Sequence, residues 1–116
     1  MEELTLHYGL WNELSAVALR QAISSVHNKL TVLNINGYEM ADYTMHLLAA
    51  GLLSSECRVE ELDLSLNDIG NAGAEQLARV LSSPNNSVLR VLHLKHNRIG
   101  NAGAVALANA FAVYRD

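Results

Sequence analysis

The sequence predicts an α/β solenoid of four strand–turn–helix units, with a parallel sheet along the inner, concave face. Two observations carry this. The segment Ile69-Gly70-Asn71-Ala72-Gly73-Ala74 recurs unchanged as Ile99-Gly100-Asn101-Ala102-Gly103-Ala104, thirty residues later. Four apolar columns also run through the chain: Leu4, Leu33, Leu62, Leu92; Leu6, Ile35, Leu64, Leu94; Leu19, Leu48, Leu77, Leu107; and Ile23, Leu52, Leu81, Phe111. A fixed period in the range of roughly 20–50 residues marks supersecondary units that cannot bury an apolar face alone and therefore stack. The unit boundaries are 1–29, 30–58, 59–88 and 89–116, together one domain.

Each element follows from local pattern. In the first unit Leu4 and Leu6 alternate with Glu3, Thr5 and His7, the period of a strand with one buried face, over 3–7. Leu19 and Ile23 lie four apart on one face of a helix over 13–24. The same two patterns place strands at 32–36, 61–65 and 91–95, and helices at 42–54, 71–82 and 101–113. Glu13, Asp42, Asn71 and Asn101 open the four helices. Asp and Asn accept from the free N–H groups of a first helical turn, so each is expected to cap the helix it opens. Pro84 falls just after the third helix, where it breaks no helical bond. Gly73 and Gly103, inside a first turn, cost helix propensity, and close packing is the expected reason.

Composition narrows the class. Half of the 116 residues are apolar, yet there is one Phe, one Trp and four Tyr, so the core is aliphatic. No segment approaches the roughly 20 apolar residues that span a bilayer. The start, Met1-Glu2-Glu3-Leu4, has neither the basic nor the apolar region of a signal peptide. Cys57 stands alone, which fits a reducing compartment, and the cytoplasm is the expected location. A net charge of −4 without a run of Lys or Arg argues against nucleic acid and anionic membranes as partners.

The motif Leu-x-x-Leu-x-Leu-x-x-Asn-x-Ile, at Leu89 to Ile99 and with Val59 at its head at 59–69, resembles the ribonuclease-inhibitor-like class of leucine-rich repeats. Such repeats occur in ribonuclease inhibitors, the sensor regions of NOD-like receptors, tropomodulins and Ran GTPase-activating proteins. The resemblance is stronger over 59–111 than over 1–58. It implies that Asn67 and Asn97 form a structural ladder, bonding the backbone of their own turn and of the neighbouring repeat. Gly9 and Tyr38 replace that Asn in the first two units, and Trp11 and Met40 replace the Ile, so the first half is expected to be less regular.

The resemblance further implies a non-enzymatic recognition module that binds another protein through the concave sheet. Candidate binding residues are the strand positions outside the leucine columns and the turns beyond them: Tyr8, Asn34, Asn36, Glu61, Asp63, His93, Lys95 and His96. Asp63 and His93 share a row on adjacent strands and are expected to form a lateral pair, with Ser65 nearby on the same face. On an open sheet, without oxyanion donors or an enclosed pocket, these three do not make a hydrolytic triad. His93-x-x-His96, even with His7, falls short of the three or four convergent ligands of a zinc site, so neither metal nor cofactor is expected. An alternative function, by resemblance to Ran GTPase-activating proteins, is action on a GTPase through turn residues such as Asp68 and Arg98. A third is a structural segment that self-associates through its C-terminal end. The array starts and stops without polar capping elements, so the sequence reads as a segment of a longer one.

Overall fold

The computed structural model describes residues 2–7, 13–25, 29–37, 40, 42–83 and 88–114. Strands β1 (Glu2–His7), β2 (Leu30–Asn36), β3 (Glu61–Asp63) and β4 (Val91–His93) alternate with helices α1 (Glu13–Ser24), α2 (Asp42–Leu52), α3 (Asn71–Ser82) and α4 (Asn101–Tyr114). The strands form one parallel sheet in the order β1-β2-β3-β4. Its register pairs Leu4 with Leu33, Leu33 with Leu62, and Leu62 with Leu92, so one leucine column runs straight across the sheet.

β3 and β4 are shorter than the alternation predicts. Leu66 and His96 adopt left-handed backbone, φ 60° and 57°, and Gly37 does the same at the equivalent position, φ 77°. Inter-unit bonding nevertheless continues into the turn, where Leu64 N–H donates to His93 C=O at 2.9 Å and Leu66 N–H to Lys95 C=O at 2.8 Å. The first half carries both the longest strand pairing, β1 with β2, and a register shift between Glu2 and Glu3. The turn positions Tyr8, Gly9, Trp11 and Tyr38, and also Pro84, lie outside the described residues.

The core lies between sheet and helices. Ile23, Leu33, Ile35, Met40, Met45, Leu48, Leu52, Leu62, Leu64, Ile69, Leu77 and Leu81 are fully buried, and all but Ile23 come from the second and third units. Met40 fills the place of the turn isoleucine and is as buried as Ile69. Leu92, expected to be buried, is only partly so, as are Leu94, Ile99 and Leu107. The fourth unit has one neighbour rather than two, and its inward side chains are correspondingly covered on one side only.

The helix openings differ from expectation in an informative way. Asp42 and Asn71 cap the next helix, not their own. Asp42 Oδ1 accepts from Gly70 N–H at 2.8 Å and Gly73 N–H at 2.7 Å, at the start of α3. Asn71 Oδ1 accepts from Gly100 N–H at 2.8 Å and Gly103 N–H at 3.0 Å, at the start of α4. The residue flanking α3, Gly70, has no side chain to offer its own helix. This lateral arrangement explains the glycines. A Cβ on Gly73 would sit 2.5 Å from Asp42 Oδ1, and one on Gly103 would sit 2.8 Å from Asn71 Oδ1. Both glycines make room for the preceding unit's cap, a closer constraint than helix–strand packing alone.

Candidate functional site

The turns after β3 and β4 are set by two asparagines. Asn67 Oδ1 accepts from Met40 N–H at 2.9 Å, and its Nδ2 donates to Ile35 C=O at 2.8 Å, Leu64 C=O at 2.9 Å and Ser65 C=O at 3.3 Å. Asn97 repeats this one unit on: Oδ1 accepts from Ile69 N–H at 3.0 Å, and Nδ2 donates to Leu64 C=O at 2.9 Å and Leu94 C=O at 3.2 Å. Each amide thus holds its own turn and the preceding one, with both donors and its acceptor in use. The result is a rigid platform at the C-terminal end of the sheet.

On the sheet face turned away from the helices, Glu61 and Asp63 are half-buried, while Val91, His93 and Lys95 are exposed. Asp63 and His93 are register partners, as their shared row requires. The expected ion pair between them does not form. His93 Nε2 lies 3.7 Å from Glu61 Oε2 instead, and Asp63 Oδ1 accepts from Ser65 N–H at 2.9 Å. A carboxylate one residue removed from a neighbouring N–H satisfies that donor locally, leaving the diagonal glutamate to the imidazole. Ser65, placed by the alternation on the open face, is 9% exposed and belongs to the buried base of the turn. Lys95, at the same position of the fourth unit and also followed by a left-handed residue, is exposed, so Ser65 owes its burial to its place between two units.

Asn34 and Asn36, on β2, are half-buried, and Asn34 Oδ1 is buried without a hydrogen-bond partner. His96 is exposed at the turn beyond Lys95. Tyr8 lies outside the described residues, so the face as described runs from β2 to β4. Two further residues belong to it that charge and polarity did not single out: Leu66, 44% exposed, and Val91, 40% exposed. The alternation puts both in the rows of this face, and only their apolar character kept them from the candidates. At the edge of the same platform Arg98 Nε lies 2.8 Å from Asp68 Oδ1, a well-exposed pair linking adjacent turns.

Among the described residues no group of three or more His, Cys, Asp and Glu side chains is placed to hold a metal ion. No helix among them is long and apolar enough to cross a membrane. Cys57 is buried, and burial pushes its thiol above the ordinary cysteine range, partly offset by a backbone hydrogen bond from Val59. The thiolate fraction at neutral pH is therefore depressed, and a disulfide reagent such as DTNB should label Cys57 slowly in the folded chain and rapidly in denaturant. The native state holds this proton to higher pH than the unfolded state, so stability should decline as pH rises past the free thiol's range of about 8.5. Equal labelling rates in the two states would contradict the buried placement.

The family described as Leucine Rich repeat matches residues 58–78 and 85–108. These two stretches are leucine-rich repeats. They are the units whose turns carry Asn67 and Asn97, and with the four alternating strands and helices they make the chain an α/β leucine-rich-repeat solenoid. Among solved structures, one titled Leiomodin-1 Actin-Binding Site 2 (ABS2) is similar, with a TM-score of 0.67 and 14% identity. The likeness covers 98% of this chain and 80% of that one, and it extends the repeat fold to the first half, beyond the two family matches. Comparison with curated proteins finds no match.

Proposed function

We propose that this leucine-rich-repeat chain is a non-enzymatic recognition module of the ribonuclease-inhibitor-like class. It binds another protein through the open sheet face and its turn platform, in a reducing compartment such as the cytoplasm. The observation that carries the reading is the pair Leu66 and His96. Both are exposed, and both hold left-handed backbone that glycine adopts without strain. A side chain in that conformation costs about 1 kcal/mol. Gly37, at the same position one unit earlier, shows that the turn itself does not need a side chain there. Exposed side chains kept at such a cost fit a contact surface, and Glu61, Asp63, His93 and Lys95 extend it across the strands with mixed charge. Asn34 and Asn36 lie at its far side.

The ligand of the leiomodin segment, actin by its title, is one candidate partner, but 14% identity carries a shared fold and not a shared ligand. The test is capture from a cell extract by immobilised chain. Leu66→Gly/His96→Gly should leave stability within about 1 kcal/mol of the parent and yet lose the captured protein, as should Glu61→Ala/His93→Ala. Glu75→Ala, exposed on the helix side, should retain it. If the sheet-face variants capture what the parent captures, the open face is not the binding surface.

A further inference from the structure

The open sheet face separates its two signs of charge along the strands, and little of that charge is answered inside the chain. Glu61 and Asp63 stand on β3, and Glu3 on β1 lies in the same row as Glu61, through Val32. At the turn end of β4 stand Lys95 and His96, both exposed. Asp63 gives one oxygen to Ser65 N–H at 2.9 Å, and Glu61 meets the His93 imidazole at 3.7 Å. Among the described residues no lysine or arginine lies within ion-pair distance of either carboxylate, and no carboxylate lies within that distance of Lys95 or His96. Arg98 and Asp68, by contrast, answer each other at the platform edge, 2.8 Å apart. Between the two groups of charge sits Leu66, whose N–H donates to Lys95 C=O. Leu66 belongs to the third unit, which has a neighbour on both sides, so its 44% exposure is a property of the face itself.

Resting on the reading of this face as the binding surface, we infer that it takes an extended protein segment ordered basic, apolar, acidic. A Lys or Arg lies over Glu61 and Asp63, an apolar side chain rests on Leu66, and a carboxylate reaches Lys95 and His96. Each part follows from a group left unanswered within the chain. Glu61 and Asp63 are alternate residues of one strand, about 7 Å apart, and one guanidinium fork on its long stem serves both. The run from Asp63 to Leu66 is about 10 Å at strand rise, which side chains at alternate positions of an extended segment span. Like charge excludes the other orders: an all-basic segment meets Lys95, and an all-acidic one meets Glu61 and Asp63. A nucleic acid fails on the same ground, because its phosphates run against the two carboxylates.

The probe is a fluorescein-labelled peptide, Gly-Arg-Ser-Leu-Ser-Glu-Gly, titrated with the 116-residue chain and read by fluorescence anisotropy. Glutamate in place of its arginine, or arginine in place of its glutamate, should weaken binding about tenfold, the scale of one or two exposed ion pairs and the repulsion that replaces them. Glu61→Gln/Asp63→Asn removes charge but keeps the acceptor that Ser65 N–H uses, and it should erase the preference for arginine. Lys95→Glu should invert the preference at the other end, making the peptide with two arginines the tighter one. The inference is overturned if the parent chain binds the two-arginine or two-glutamate peptide as tightly as the mixed one. It is equally overturned if Lys95→Glu leaves the order of affinities unchanged, or if no peptide binds at about 1 mM. Capture from a cell extract separates this failure from that of the sheet-face reading. A protein lost with Leu66→Gly/His96→Gly, but retained by both Glu61→Gln/Asp63→Asn and Lys95→Glu, overturns the charge order and leaves the face as the binding surface. A captured protein indifferent to all three variants overturns both.

Discussion

Asn67→Leu should destabilise the chain by about 3–5 kcal/mol, whereas Asn97→Leu should cost only about 1–2 kcal/mol. The two substitutions are chemically the same and fall on equivalent positions, so their difference isolates context. Asn67 is buried, and its amide answers one N–H and three carbonyls, two of these four groups belonging to the preceding unit. Leucine there leaves Met40 N–H and Ile35 C=O without partners in an interior closed to water. An orphaned buried group costs about 1–3 kcal/mol. Asn97 makes the same pattern but sits half-exposed at the edge of the stack, where water replaces part of what the amide provides. Denaturant titration of the two variants measures the difference, and equal losses would mean that the ladder is not the element that fixes the turns.

Much of this architecture was legible in the residues. Column spacing set the order of the elements and the register, and the leucine column does cross the sheet as Leu4, Leu33, Leu62 and Leu92. Alternation placed Lys95 correctly on the open face, and it failed at Ser65, the same position one unit earlier, which is covered from both sides. The caps were misplaced for a related reason. Asp42 and Asn71 have the composition of helix openers, but a sequence read along one unit cannot tell a bond to its own helix from one to the next. The distinguishing signal was present in the glycines, since residues without Cβ at the first and fourth positions of Gly70-Asn71-Ala72-Gly73 leave space for a side chain from elsewhere. The binding face was read from polarity, which found His93 and His96 and passed over Leu66. Its exposure follows from a backbone angle that no composition rule assigns to leucine.

Leu64→Ala should cost about 3–5 kcal/mol and Leu94→Ala about 1–2 kcal/mol. Both side chains point from the sheet toward the helices, and both belong to one column. Leu64 is fully buried between the second and fourth units, so its truncation opens a cavity that neighbours on both sides must line or fill. Leu94 already faces solvent on one side, and part of its truncated volume is taken up by water at little cost. Urea titrations with unchanged slopes would report the two losses on one scale. Neither value alone tests the stack, because any buried leucine costs several kcal/mol on truncation. The ratio does, since in a globular core with no repeat axis two leucines of the same column have no reason to differ by the number of units beside them. A ratio near one would show that the fourth unit is as enclosed as the third.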